Sequence, residues 1–577
     1  MDHTINAMEI NAGKKENWVS LGYCLLIAAL TLVILIMATV PPVSRDALTH
    51  HLAVPKLWLR NGGIYEIPSV PFSYYPMNLD LLYAIPLFFG NDIAPKYIHF
   101  SFALLTASLI FFYLRSRLKT SYGLLGALFF LSIPVIVKLS VTVYVDLGLI
   151  FFSTAALLSL LEWRKQGYQW KYLIFSAVSC GLALGTKYNG MVVFFLLTCS
   201  VPFIYLRRTG NDASNKSLAN QFRALGFGSV FFLVSLMLFS PWLVKNAIQT
   251  NNPVFPLYNR WFQSFQHQPG EKNRQPDVTL DKKVRKSGKW GHFAIRKVIY
   301  GESFGQISLI PLRVFFEGQD DDPKYFDGRL NPFLLILPML LLVPWLNKSG
   351  SHLADIKILS IFSFAYLIFV FFRVDMRIRW ISPIVPPMVI LSMFGLQRLH
   401  LFGSRAGQKW NRWFLKGALL SAIAGMLLIN ANYLYGLYQK IDPISYISGR
   451  VGRDQYITRF RPEYEIVKHI NQKLPDDALV LCLFIGNRIY YYDRPIRSDK
   501  NVLKRAVHSS ASIDQISDSL ENMGITHLLM RYDLSESWIE NEFDPQKRAL
   551  LRLFLEKRAK QVKNYGGYGF FELIYNT

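Results

Sequence analysis

The sequence predicts a membrane α-helical bundle with about eleven transmembrane helices, followed by a C-terminal extracytoplasmic α/β domain. Three observations support this fold class. Hydrophobic residues make up 51% of the 577-residue chain, and its mean hydropathy is +0.22. The apolar residues occur in uncharged blocks of about 15 to 22 residues, the length that crosses a bilayer. Beyond Pro443 the blocks give way to shorter helix-like and strand-like segments, which are typical of a folded soluble domain.

The apolar blocks divide the chain into a membrane domain, residues 1–441, and a tail domain, residues 442–577. The first block is too long for a signal peptide and lacks a good cleavage site, so we expect it to be retained as an anchor. The loop that follows it is 41–96. The predicted spans are 19–40, 97–114, 122–138, 147–161, 172–186, 190–206, 224–244, 330–346, 358–372, 380–398 and 417–438.

The chain carries a formal charge of +24. In a soluble protein this charge would favour nucleic acid. Here the basic clusters lie between apolar blocks and no nucleic-acid motif appears, so we expect the lipid bilayer as partner and no nucleic acid. With the N-terminus inside, every basic cluster between spans is cytoplasmic, provided that residues 307–316 lie along the interface. The loops 41–96, 140–146 and 245–329 and the tail are then outside. The four cysteines form no metal or disulfide pattern.

The tail pattern predicts a small α/β domain that positions a partner or serves as a structural cap. Its helices and strands follow from apolar periodicity and from glycine stops. The predicted helical segments are 463–473, 512–523 and 550–560. The predicted strands are 478–485, 488–492 and 525–530, with a hairpin over 561–575 that turns at Gly566 and Gly567.

Ionisable groups begin the first outer loop, where the first span ends. Asp46 and His50 lie on one face if 45–60 is helical. A carboxylate beside an imidazole can act as a base or share a metal ion. The alternative is a solvated loop that happens to be charged. Later in the loop, Tyr74 and Tyr75 suit an aromatic platform for a sugar or a lipid, or else they line the membrane interface.

A second carboxylate, Asp146, opens the fourth span. It is either a helix cap or a functional partner of the first loop. Lys187 lies between two spans beside Tyr188 and other polar residues, where it either extends to the membrane surface or holds a phosphate.

Cations also occur on the predicted outer side, against the positive-inside rule. Arg377 and Arg379 precede one span, and Lys245 ends another. Anion recognition is the natural function of such groups. Carboxylates on early loops and cations at later helix ends together suit a substrate with a phosphate leaving group and a nucleophile that must lose a proton.

These motifs resemble the GT-C superfamily of integral-membrane glycosyltransferases, in the bacterial branch related to protein O-mannosyltransferases and aminoarabinose transferases. The resemblance covers most of the chain. The segments that carry it are Arg45–His51 with Pro55-Lys56, Tyr74–Pro76, Tyr144–Asp146, Gly181–Tyr188, Asn252–Pro256 and Arg377–Pro386.

The resemblance implies a GT-C-like bundle, a polyprenyl-phosphate sugar donor and an active site that faces the periplasm. It makes Asp46 the principal catalytic carboxylate and Asp146 a second one, with inversion at the anomeric carbon. The donor-phosphate candidates are Lys187, Arg377, Arg379 and Lys245, and the substrate-binding candidates are Tyr74, Tyr75 and Tyr188. Acidic pairs of some relatives are replaced by Ala47 and Leu48, which disfavours a family-type metal site. A divalent ion nevertheless stays a candidate cofactor, with His50 as its candidate ligand.

We therefore expect a multi-pass glycosyltransferase of the bacterial inner membrane, acting on a lipid, glycan or protein acceptor. One alternative is a flippase or transporter of lipid-linked sugars, although no paired halves suggest inverted repeats. Another is an enzyme of the O-antigen ligase or polymerase type, which would have its large catalytic loop late in the chain. A non-enzymatic scaffold would leave the polar outer turns unexplained.

Overall fold

A computed structural model describes residues 2–207, 218–264, 291–344, 352–405 and 409–575. Its residue contacts form two compact units. The first unit comprises Met1–Ala38, Tyr74–Leu82 and Lys96–Ile441. The second comprises Thr39–Ser73, Tyr83–Pro95 and Asp442–Thr577, so most of the first outer loop groups with the tail.

The described part of the chain up to Ile441 is almost entirely helical. Its helices are α1 (Asp2–Ala38), α2 (Ala53–Arg60), α3 (Asn78–Phe88), α4 (Ala94–Arg117), α5 (Thr120–Ser132), α6 (Pro134–Ser140), α7 (Asp146–Lys165), α8 (Trp170–Thr186), α9 (Gly190–Leu206), α10 (Leu218–Thr250), α11 (Asn259–Ser264), α12 (His292–Val298), α13 (Phe304–Ser308), α14 (Ile310–Arg313), α15 (Phe333–Met339), α16 (Leu353–Arg373), α17 (Val385–Arg405) and α18 (Lys409–Ile441).

Seven helices among the described residues are long and apolar enough to cross a membrane, and an eighth span exists if the bent pair α5–α6 is counted. This confirms a multi-pass membrane bundle. The bend between α5 and α6 is 66°. Pro134 explains it, because proline cannot donate to the helix ladder and disfavours helical geometry at the preceding residue. The predicted spans at 172–186, 190–206 and 330–346 fall on shorter helical segments.

The predicted interfacial segment 307–316 contains the end of α13 and all of α14, helices of five and four residues. Both are far too short to cross a bilayer. The condition that 45–60 is one helix is met only in part: a π-helical turn covers Ala47–His51, and α2 begins at Ala53. The amide of Leu52 donates to the Ala47 carbonyl at 2.9 Å, which is the wider π spacing. Such turns are frequent at functional sites.

Small residues let α7, α8 and α10 pack closely in the first unit. The Ser176 hydroxyl donates to the Ala156 carbonyl at 2.6 Å, and Ser235 donates to Ala177 at 2.8 Å. A Cβ atom on Gly181 would lie 2.7 Å from the Ser235 carbonyl oxygen, so only glycine permits this approach. Such contacts are typical of membrane bundles, where little hydrophobic force drives helices together.

The tail in the second unit is an α/β domain built on a five-stranded sheet, as predicted. The strands are β1 (Leu479–Leu483), β2 (Ile496–Arg497), β3 (Ile525–Arg531), β4 (Ala559–Tyr565) and β5 (Tyr568–Leu573), in the order β2-β1-β3-β5-β4. Strand β1 pairs in parallel with β2 and β3, whereas β5 pairs antiparallel with β3 and β4. The tail helices are α19 (Pro443–Ile447), α20 (Arg453–Phe460), α21 (Tyr464–Lys473), α22 (Lys500–Ser509), α23 (Ile513–Glu521), α24 (Tyr532–Glu542) and α25 (Pro545–Arg558).

Alternating side chains of the central strands fill two cores. Leu481 and Leu528 face a core formed with α22 to α25, whereas Val480 and Leu529 face a core formed with α21. The centre of the sheet is therefore covered on both faces, which explains why β1 and β3 are rich in apolar residues on both sides.

The predicted strand at 488–492 is wrong. The Tyr490 amide donates to the Leu48 carbonyl at 3.1 Å, and the Tyr492 amide closes a turn on Ile489. This segment therefore pairs with the first outer loop instead of joining the sheet. The second sheet strand comes later, at Ile496–Arg497.

Candidate functional site

Two predicted site residues meet at one end of the α7–α8 hairpin in the first unit. The helices have 20 and 17 residues, so their antiparallel packing brings the first residue of α7 close to the residue that follows α8. The Lys187 ammonium donates to Asp146 Oδ1 at 2.8 Å. Asp146 is fully buried, whereas the Lys187 side chain is 19% exposed. The helix cap is Val145, so the carboxylate binds the lysine instead of capping the helix.

Arg379 adds a second cation to this pair. It interacts electrostatically with the Asp146 carboxylate, and its guanidinium lies 4.8 Å from the centre of the Tyr144 ring. We call Tyr144, Asp146, Lys187 and Arg379 the Asp146 cluster. One carboxylate and two cations leave it with a net positive charge.

Two polar contacts hold the backbone of this cluster. The Tyr366 hydroxyl donates to the Trp380 carbonyl at 3.2 Å, and the Asn189 amide reaches the same carbonyl at 3.4 Å. They join the loop after α8 to the 3₁₀ turn Ile378–Ile384, which carries Arg379. Tyr366 gives no distinct signal in the sequence, since it is a tyrosine inside an apolar span.

His99 also supports the cluster and was not identified from sequence. Its Nε2 atom accepts from the Leu147 amide at 3.0 Å, so that nitrogen carries no proton. Its Nδ1–H then donates to the carbonyls of Leu139 and Thr142, both at 3.0 Å. A neutral imidazole therefore fixes the turn that presents Asp146. A lone histidine within an apolar span would have been the only sequence signal.

The predicted substrate-binding tyrosines form a second group in the first unit. The Tyr188 hydroxyl donates to the Phe255 carbonyl at 2.8 Å, and its ring lies 5.1 Å from that of Tyr75. Burial raises the pKa of Tyr75 and of Tyr188 above its ordinary value, so both hydroxyls stay protonated near neutral pH. Tyr74 is 2% exposed, and the buried Asn246 amide donates to its carbonyl at 2.8 Å.

The remaining predicted cations have aromatic neighbours. The Lys245 ammonium lies 5.9 Å from the Tyr74 ring centre and 5.3 Å from that of Trp242. Arg377 lies over the Trp380 ring at 5.2 Å, and its Nη1 atom is 3.7 Å from Asp327. Arg377 is thus partly neutralised.

Asp46 and His50 belong to the second unit. Asp46 is partly exposed and immediately precedes the π-helical turn, which contains His50. The His50 ring stacks on Phe72 with centres 4.5 Å apart. The turn thus presents a carboxylate at its start and holds the imidazole against an aromatic ring.

Contacts within the second unit anchor this loop. The Lys56 ammonium donates to the Tyr490 carbonyl at 2.7 Å and to Asp493 at 3.0 Å, and Arg60 also donates to Asp493. Burial lowers the pKa of Lys56 and outweighs the opposing effect of Asp493. Burial alone would raise the pKa of Asp493, but the charges of Lys56 and Arg60 bring it below its ordinary value.

Comparison with known proteins identifies the fold. Residues 68–251 match the family model for dolichyl-phosphate-mannose-protein mannosyltransferase. ArnT from Cupriavidus metallidurans, solved with undecaprenyl phosphate bound, has a TM-score of 0.54 at 12% identity, over 95% of this chain and 97% of that protein. Its apo structure gives 0.55 at 14% identity, over 96% and 98%. No curated protein matches the sequence.

The chain therefore has the GT-C-like fold of ArnT.

The fold that the resemblance implies is therefore confirmed, and residues 68–251 match a mannosyltransferase family model. The matched segment contains all three predicted substrate-binding tyrosines, the second carboxylate and two of the four predicted phosphate-binding cations. Asp46 and both arginines lie outside it. The roles of individual site residues remain predictions.

The described residues do not fit a metal ion. Among them, no group of three or more histidine, cysteine, aspartate or glutamate side chains is placed to hold one. His50 has no such set around it, so we assign no step to a metal.

Proposed function

We propose that this GT-C protein transfers a sugar from a polyprenyl-phosphate-linked donor to a lipid, glycan or protein acceptor at the periplasmic face of a bacterial inner membrane. Asp46 acts as general base. The residues of the Asp146 cluster receive the donor phosphate.

The excess positive charge of the Asp146 cluster is the observation that supports this proposal most directly. Lys187 and Arg379 share one buried carboxylate, Asp146. An ammonium offers three N–H donors, so the bond to Asp146 leaves Lys187 with donors for a phosphate. The carboxylate also lowers the cost of partly burying two like charges. Such a cluster is arranged to stabilise a phosphate as it departs.

The chemistry assigns a separate task to Asp46. Its carboxylate takes the proton of the acceptor hydroxyl while the acceptor oxygen attacks the anomeric carbon. The bond from that carbon to the phosphate oxygen breaks on the opposite side, so the configuration inverts. The phosphate leaves with the bonding electrons, and the cations stabilise its charge. Lys245 and Arg377 are further candidates to contact the donor phosphate.

A transfer assay on protein reconstituted in proteoliposomes tests the proposal. The donors are a panel of polyprenyl-phosphate sugars, and the comparison is wild type against Asp46→Asn. We expect loss of transfer while the unfolding temperature stays the same. Glu66→Gln removes an exposed carboxylate from the same loop and serves as the matched control. Full transfer by a folded Asp46→Asn protein would overturn the assignment of the base.

The same vesicles distinguish the alternatives. A flippase would move the labelled donor across the bilayer without breaking the sugar–phosphate bond, and it would do so equally well in the Asp46→Asn protein. The orientation is tested separately, by labelling single cysteines placed at exposed positions of the tail from outside intact spheroplasts. Protection of the tail from the reagent would contradict a periplasmic face.

A further inference from the structure

The tail contains a charged cleft that the proposed transfer reaction does not use. Its volume is about 510 Å³. The residues that line it are Phe460, Arg461, Pro462, Glu463, Arg488, Arg531, Tyr532, Asp533, Gly566, Gly567 and Tyr568. All of them belong to the second unit, and all are among the described residues.

The fold of the sheet explains where the cleft lies. Arg531 ends β3, at the carboxyl edge of the parallel strands, where open α/β sheets generally bind ligands. The β4–β5 turn forms another wall, in which Gly566 and Gly567 adopt φ values of +56° and +84°. A Cβ atom on Gly566 would lie 2.5 Å from Pro462, so the turn packs against the segment that leads into α21.

The floor of the cleft carries a buried ion pair with one unused acceptor. Arg488 donates to Glu463 Oε1 at 2.5 Å, and Glu463 is 4% exposed. The other carboxylate oxygen, Oε2, is buried and has no hydrogen-bond partner among the described residues. A buried carboxylate oxygen without a donor is costly, and each such group requires an explanation. A ligand hydroxyl that donates to it would supply one.

The wall of the cleft carries cationic donors. The Nε and Nη2 atoms of Arg531 each donate to Asp533 at 2.8 Å, and the guanidinium also hydrogen-bonds to Tyr568, so part of its set of five N–H groups stays available. Arg461 adds a second guanidinium to the lining. With Arg488, the cleft has three cations and two carboxylates, a net charge of +1. Aromatic rings of Phe460, Tyr532 and Tyr568 also line it.

We propose that this cleft binds an anionic saccharide, that is, a sugar that carries a carboxylate or a phosphate. The guanidinium of Arg531 is a planar donor that matches either anionic group. Glu463 Oε2 accepts from a sugar hydroxyl, and the aromatic rings pack against the apolar face of the sugar ring. The volume is sufficient for one or two sugar units, and the excess charge selects an anionic sugar over a neutral one.

The test measures binding to the full chain in lipid nanodiscs, without any donor lipid. The probes are glucose, glucuronate, glucose 6-phosphate and inorganic phosphate, observed by saturation-transfer NMR and titrated. We expect both anionic sugars to bind at least about tenfold more tightly than glucose, and more tightly than inorganic phosphate. Arg531→Ala is expected to weaken the binding of both anionic sugars by at least about tenfold. Arg531→Lys should weaken it less, because lysine keeps the charge but loses the paired N–H donors of the guanidinium.

Arg552→Ala is the matched control, since Arg552 is a 57% exposed arginine of the same domain that pairs with Glu540 outside the cleft. It is expected to leave binding unchanged. Equal binding of glucose and glucuronate would overturn the anionic preference. If inorganic phosphate binds as tightly as glucose 6-phosphate, the sugar ring contributes nothing and the proposal of a saccharide ligand is wrong. Unchanged binding in a folded Arg531→Ala protein would overturn the site. Because Asp46→Asn should bind these probes like wild type, this inference and the proposed transfer reaction fail independently.

Discussion

Removal of Lys187 tests the Asp146 cluster most directly, because the two partners of its ion pair are buried to different extents. The Asp146 side chain is 1% exposed and that of Lys187 is 19% exposed. In Lys187→Met a fully buried carboxylate loses its hydrogen-bond donor, which costs about 3–5 kcal/mol for buried pairs. Arg379 still interacts with the carboxylate, so we expect about 3 kcal/mol, the lower end of that range.

The reverse change is expected to cost less. In Asp146→Asn the lysine keeps its charge but can reach solvent, so the loss approaches that of one charge-assisted hydrogen bond, about 1.5–3 kcal/mol. The double variant Asp146→Asn with Lys187→Met buries no charge without its partner. We therefore expect it to be more stable than the sum of the single changes by about 2 kcal/mol.

Denaturant unfolding of the four proteins in mild detergent measures this coupling energy. Lys165→Met is the matched control, because it removes an exposed lysine from the end of α7 opposite to Asp146. Its unfolding free energy should stay within about 0.5 kcal/mol of that of wild type. Additive single effects would refute the ion pair as described. If the double variant recovers stability but needs a higher donor concentration for half-maximal transfer, Lys187 also binds the donor. If the donor concentration for half-maximal transfer is unchanged, the role of Lys187 is purely structural.

Two further predictions concern packing and pH. A Cβ atom on Gly395 would lie 2.2 Å from the Leu337 carbonyl oxygen, so Gly395→Ala should lower the unfolding free energy by about 1–3 kcal/mol. Gly226→Ala, where nothing lies within 4 Å, should not lower it, and equal effects of the two would contradict the close helix contact. The pKa of Asp493 lies below its ordinary value, so its ion pairs stabilise the fold at neutral pH and this stabilisation is lost as the pH falls below about 4. Asp493→Asn should remove that part of the acid dependence of the unfolding temperature, whereas an unchanged acid profile would show that the pairing is not coupled to folding.

Much of the fold follows from local sequence, and the exceptions have physical causes. The apolar blocks predict the membrane bundle, because a single segment of this length satisfies its own backbone hydrogen bonds in lipid only as a helix. In the tail, continuous apolar runs and glycine stops predict β1, β3 and the hairpin. The run at 488–492 has a strand-like composition, yet its backbone bonds to a loop more than 430 residues earlier. No local pattern reveals such a partner.

The candidate site shows the same division between local and long-range information. Charged residues at membrane-helix ends stand out in sequence, and all the predicted cations and carboxylates were found that way. Their pairing depends on helix lengths and packing: the Asp146–Lys187 ion pair spans 41 residues. Uncharged supports such as His99 and Asn246 are invisible in sequence, since their importance comes from the carbonyls and amides that they bind.

The surroundings of the two aspartates argue for a division of labour in the proposed reaction. A general base must exchange its proton with an incoming acceptor, which requires access, and Asp46 is partly exposed. Asp146 is fully buried and bound to Lys187, so it lacks the access that an incoming acceptor needs. Its task in our proposal is to hold two cations in position for a phosphate. Asp146→Asn should therefore impair donor use while the pH dependence of the remaining transfer stays that of wild type, whereas a shifted pH profile would make Asp146 a base instead.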